Sequence, residues 1–153
     1  ANYGKVDIVG VDMTACMMLS LGSKVSLQCS AASTFQRAVD KTSKSSQSYR
    51  NQLPYTPKWS GSGNVALTTP WVNIGYSVVM QQERYSMAQN KPEYRMHPFW
   101  DHSLALSRSF KLGDMSLDAC VKATNITNVQ YEIIKYYPMQ GRAWTATLTW
   151  HMR

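Results

Sequence analysis

The chain has 153 residues, 44% of them apolar, 11% aromatic and 16% charged, with a formal net charge of +7. This apolar and aromatic content excludes a disordered chain, and no apolar run approaches the ~20 residues a membrane helix needs. Cys16, Cys29 and Cys120 are odd in number and lack a Cys-x-x-Cys pair, so neither a disulfide framework nor a zinc knuckle is expected. The basic residues Lys41, Lys44, Arg50, Arg84, Lys91 and Arg95 fall in two polar stretches without a reading motif beside them, so no nucleic-acid partner is expected. The chain opens at Ala1 with no leader pattern, as a mature or excised end does.

Period-two alternation dominates from the first element onward. Val9, Val11, Met13, Ala15, Met17 and Leu19 share one face of a strand predicted over Val6–Leu19, with Asp12, Thr14, Cys16 and Ser20 on the other. A turn at Gly22 leads to a second strand with Val25, Leu27, Cys29, Ala31 and Phe35 on its apolar face. A polar stretch from Asp40 to Pro57 follows, and then Trp59, Gly61, Gly63, Val65 and Leu67 alternate down to a tight turn at Pro70. Val72, Ile74, Tyr76, Val78 and Met80 mark the fourth strand, and a second polar stretch runs from about Glu83 to Pro98. The fifth carries Trp100, His102, Leu104, Leu106 and Phe110, and turns at Lys111–Asp114. Met115, Leu117, Ala119, Val121 and Ala123 mark the sixth, and a long connection spans Asn125–Gly141. Trp144, Ala146, Leu148, Trp150 and Met152 mark the seventh, within Arg142–Met152.

The expected fold is therefore all-β, an antiparallel up-and-down meander of about seven long strands. Short turns alternate with long loops, the pattern of an outer-membrane β-barrel, and strands of about 10–14 residues suit a tilted bilayer crossing. On this topology the apolar face meets lipid and the Ser/Thr/Gln/Asp face lines a wet interior, consistent with a mean hydropathy of only −0.34. Interface aromatics are expected at Trp59, Trp100 and Trp144 on the loop side, with Tyr55, Tyr85, Phe99, Tyr136 and Tyr137, and at Trp71, Phe110 and Trp150 on the turn side.

The segment Asn125-Ile-Thr-Asn-Val-Gln-Tyr-Glu, followed by Tyr137-Pro-Met-Gln-Gly-Arg142 and Ala143-Trp-Thr-Ala-Thr-Leu-Thr-Trp150, closely resembles the C-terminal end of TonB-dependent outer-membrane receptors. Asn51-Gln-Leu-Pro-Tyr-Thr-Pro57, Glu83-Arg-Tyr-Ser-Met-Ala-Gln-Asn90 and Asp118-x-x-Val-x-x-x-Asn125 are similar to that family too, so the likeness covers essentially the whole chain. One departure is the ending: family members commonly finish on an aromatic residue, whereas here Trp150 is followed by His151-Met-Arg153. The resemblance implies that residues 1–153 are the C-terminal portion of a 22-stranded plugged barrel, without the plug, in the bacterial outer membrane. It implies uptake of a siderophore, haem or corrinoid, or of a glycan in other members of the family. It also implies, as partners, the remaining barrel and plug, the TonB system and outer-membrane lipid. An odd strand count predicts two open edges, through which the isolated chain self-associates. A soluble lipocalin-like ligand-binding β-barrel is the competing reading.

No catalytic constellation is legible. His97, His102 and His151 lie on different elements without metal-ligand spacing, and no Gly-x-Ser-x-Gly or phosphate cradle is present, so no enzyme, cofactor or metal site is expected. The candidate ligand-contacting residues are the loop cations and tyrosines Arg50, Tyr55, Arg84, Tyr94, Arg95, Tyr136 and Tyr137, which suit a bulky, often anionic ligand. Asn125, Asn128, Pro138 and Gly141 are expected to shape the last loop rather than touch ligand.

Overall fold

A computed structural model describes residues 4–152, with the backbone alone of Leu112; Ala1 and Arg153 lie outside the described residues. Seven strands form one antiparallel sheet in chain order: β1 (Val6–Ser20), β2 (Ser26–Asp40), β3 (Trp59–Thr68), β4 (Asn73–Gln81), β7 (Phe99–Leu112), β8 (Met115–Thr124) and β11 (Ala143–Met152). Two small hairpins lie within the long connections: β5 (Arg84–Tyr85) pairs with β6 (Arg95–Met96), and β9 (Glu132–Ile134) with β10 (Tyr137–Pro138). They are too short to carry a periodic signal.

Register carries the sequence pattern across the whole sheet. Val11 faces Phe35, Phe35 faces Trp59, Met80 faces Trp100, Leu106 faces Val121 and Ala119 faces Leu148. Directly paired residues project to the same side, so every strand contributes its apolar set to one continuous face. On the other face Asp12 pairs with Thr34, Thr34 with Ser60, and Ser60 with Gln81. The Thr34 hydroxyl donates to Asp12 Oδ1 at 2.6 Å. A slip of one residue at any strand would mix the two faces.

The apolar face stands in the open. Val11, Met13, Trp59, Trp100, Leu148 and Trp150 are all exposed, Leu148 at 72%. Buried residues gather instead at the loop end of the sheet, where Ala38, Val39, Asp40, Gln52, Arg84, Met96, Phe99 and Asn125 all fall below 9% exposure. This burial comes from the long connections folding onto the strand ends. β1 and β11 each leave one edge unpaired among the described residues, and they do not pair with each other.

Trp59, Trp100 and Trp144 begin strands at the loop end, and Trp71, Phe110 and Trp150 lie toward the short turns. Phe99 departs from this arrangement. It sits one position before Trp100, on the opposite face, and is 6% exposed beneath the third loop rather than in the aromatic band.

Candidate functional site

The three long connections pack on one another at one end of the sheet. The first reaches the second through Asn51 Nδ2, which donates to Ala88 O at 3.1 Å, and Tyr55 N, which donates to Tyr85 O at 2.7 Å. The second reaches the third through Arg84, whose Nη2 donates to Glu132 O at 2.6 Å and Ile133 O at 3.3 Å. Lys135 returns the contact by donating to Glu93 O, and its ammonium lies over the rings of Tyr94 and Tyr136.

Beneath this layer is an aromatic and charged stack. Tyr131 stacks on Phe99 with ring centroids 4.0 Å apart, the Arg84 guanidinium lies 5.7 Å from the Phe99 ring, and the Tyr131 hydroxyl donates to Asp101 Oδ2 at 2.6 Å. Arg84 Nη1 and Asp101 Oδ1 are buried without a protein partner. Burial lowers the Arg84 pKa from its ordinary value, and Tyr55 pushes it back up. The guanidinium starts so far above neutrality that it stays charged. Ile133, Thr34, Ser60, Gln81 and Phe99 line an open hollow of about 330 Å³ at the strand ends.

The seven candidate contact residues separate into distinct roles. Arg84 is 2% exposed and clamps the third loop from below, so its side chain is committed to the protein. Arg95 is exposed and paired with Glu83. Tyr94 and Tyr136 share Lys135, and Tyr136 and Tyr137 are 81% and 70% exposed. Arg50 and Tyr55 belong to the first loop, and both adopt positive φ, 66° and 58°. No protein-family model and no curated protein matches this chain. The site combines exposed tyrosines and cations on the loops with a buried cation and a carboxylate oxygen without a protein partner at the strand ends.

Sequence reasoning missed the buried tier. Phe99 carried the one usable signal, since its odd position sets it opposite Trp100, whereas nothing local marks Tyr131 or the burial of Arg84. Asn125 and Asn128 do shape the last loop: they take φ of 47° and 54°, Asn125 Oδ1 accepts from Val129 N four residues on, and Asn128 Oδ1 accepts from Arg142 N across the loop. Asn125 is 2% exposed with its amide engaged, so the Asn125-Ile-Thr127 triplet is built into the loop.

Two expected outcomes follow from the buried tier. Arg84→Met keeps the volume but removes a charged donor from two carbonyls, a loss of about 1.5–3 kcal/mol. Hydrogen exchange in residues 129–139 should accelerate; unchanged exchange would remove the clamp role. The Tyr131 phenol is pushed up to about 12, first by burial and then by Asp101. Its folded pKa lies above the unfolded value of ~10, so its stabilisation is complete below pH ~10 and is lost as pH rises through about 12. Ultraviolet titration should find one late-ionising tyrosine that disappears in Tyr131→Phe. Identical titrations of the two proteins would contradict the Tyr131–Asp101 bond.

Proposed function

We propose that this chain forms the closing sector of the β-barrel of a TonB-dependent outer-membrane receptor, and that the complete receptor takes up a siderophore, haem or a corrinoid. The observation that carries the reading is the single apolar face of seven long strands in unbroken register, with Val11, Met13, Trp59, Leu148 and Trp150 uncovered. Water penalises an open apolar surface of this kind, and hydrocarbon does not. In the membrane the Ser/Thr/Gln/Asp face lines the lumen, the loop layer faces outward from the cell, and the short turns lie in the periplasm. The free edge of β1 pairs with the preceding strand of the 22-stranded barrel, and β11 pairs with its first strand.

The chain supplies one wall of the ligand vestibule. Tyr94, Tyr136 and Tyr137 offer aromatic surface to a flat or bulky ligand, and Arg95 offers charge to its carboxylates or hydroxamates. The plug and the TonB-coupling segment of the receptor supply energised release, with outer-membrane lipid around the barrel.

The test is growth of a bacterial host without receptors of its own, carrying the full-length protein, on ferric siderophores, haem or cobalamin as the sole source. Growth on one of them that vanishes without TonB supports the reading. Absence of uptake, together with a protein that stays monodisperse in detergent-free buffer, would instead favour the soluble ligand-binding barrel.

A further inference from the structure

A second hollow, of about 390 Å³, lies on the rim between the first loop and the upper ends of β2 and β4, with Arg37, Arg50, Lys58, Gln82, Glu83 and Tyr85 among its walls. Three cations thus face one carboxylate, and that carboxylate, Glu83, is already paired with Arg95. Among the described residues Glu83 is paired with Arg95 and Asp118 hydrogen-bonds His151, and no salt bridge joins Arg37, Arg50 or Lys58 to a carboxylate. Asp7, opposite Val39 on β1, flanks Arg37 from a neighbouring hollow without forming an ion pair.

Arg50 is held in place by its backbone. Its φ of 66° is strained for a side chain of this size, and it persists because Arg50 N donates to Asp40 O at 2.8 Å and Asp40 N to Asn51 O at 3.1 Å. Asp40 is itself 3% exposed, and its carboxylate accepts from Ser48 Oγ at 2.5 Å and Thr42 N at 2.8 Å. Arg37 occupies the next same-face position after Phe35, which pairs with Trp59, so the cations begin where the aromatic band of the apolar face ends.

We infer that this rim hollow is a phosphate-binding site, with the guanidinium forks of Arg37 and Arg50 taking phosphate oxygens and Lys58 adding a point charge. Its position beside the aromatic band fits the phosphate of a lipid headgroup whose acyl chains run along the apolar face; a phosphorylated solute shares the same chemistry. The lipid source rests on the membrane reading above, whereas phosphate binding itself does not.

The experiment uses the full-length protein in two arms. In detergent it is titrated with inorganic phosphate and pyrophosphate by calorimetry. In nanodiscs of phosphatidylcholine containing phosphatidic acid, native mass spectrometry counts the lipid that remains bound. The expected result is selective retention of phosphatidic acid, reduced at least tenfold in Arg37→Gln/Lys58→Gln and restored when Lys58 is replaced by Arg instead. Both positions are exposed, so the double variant should keep the circular dichroism of the parent. Tighter binding of inorganic phosphate than of the lipid supports the site and assigns it to a solute. Failure of every phosphate probe to bind, or equal binding by parent and double variant, overturns it. A protein that folds without detergent and still binds phosphate overturns the receptor reading alone.

Discussion

Asn125→Ala is expected to cost about 3 kcal/mol and to release the last loop from the sheet. The Asn125 side chain is 2% exposed and makes three bonds: Oδ1 accepts from Val129 N at 2.9 Å, and Nδ2 donates to Val129 O at 2.9 Å and Gln140 O at 3.2 Å. At about 1 kcal/mol for each bond, the loss is large for one side chain. Alanine also tolerates the φ of 47° less well than asparagine. Gln140 precedes Gly141, where an added Cβ would sit 2.9 Å from Asn128 Oδ1, so both ends of the loop are fixed by one group of residues. Hydrogen exchange at Val129 and at Met139, whose amide donates to Tyr131 O, should rise sharply in the variant. Unchanged protection would show that the loop is held elsewhere.

Leu148→Arg and Thr147→Arg are expected to differ strongly in the lipid-embedded barrel. Leu148 pairs with Ala119 on the apolar face, and Thr147 pairs with Cys120 on the polar one. A cation on the lipid side near mid-bilayer costs roughly 2–4 kcal/mol, whereas the same cation in a wet lumen remains solvated. Unfolding equilibria of the full-length protein in vesicles measure the two. Equal losses would contradict the assignment of faces.

The seven long strands were legible because period-two alternation repeats far more often than chance local preference would allow. The first was predicted as Val6–Leu19 and runs Val6–Ser20; the fifth was read from Trp100 to Phe110 and extends to Phe99–Leu112. Ends shift by a residue or two because pairing continues into turn residues that lack the pattern. The hairpins Arg84–Tyr85/Arg95–Met96 and Glu132–Ile134/Tyr137–Pro138 were illegible for the opposite reason: two or three residues establish no period.

The site was legible in composition but not in arrangement. Arg84 and Arg95 look alike in sequence, each a cation in a polar loop, yet one is a buried clamp and the other an exposed ion pair. What separates them is the path of residues 125–141, which brings the Glu132 and Ile133 carbonyls to Arg84 from almost fifty positions away. No local pattern encodes that meeting. Asn125 was readable because its chemistry is local, a short amide bonding the Val129 backbone four residues on.

The central claim is that the apolar face meets hydrocarbon, and spin-label accessibility along β11 tests it most directly. Nitroxides placed singly from position 144 to 150 in the full-length protein in lipid should alternate: oxygen-accessible at 144, 146, 148 and 150, and accessible to a water-soluble nickel chelate at 145, 147 and 149. High chelate accessibility at 146 and 148, or an inverted alternation, would contradict the account.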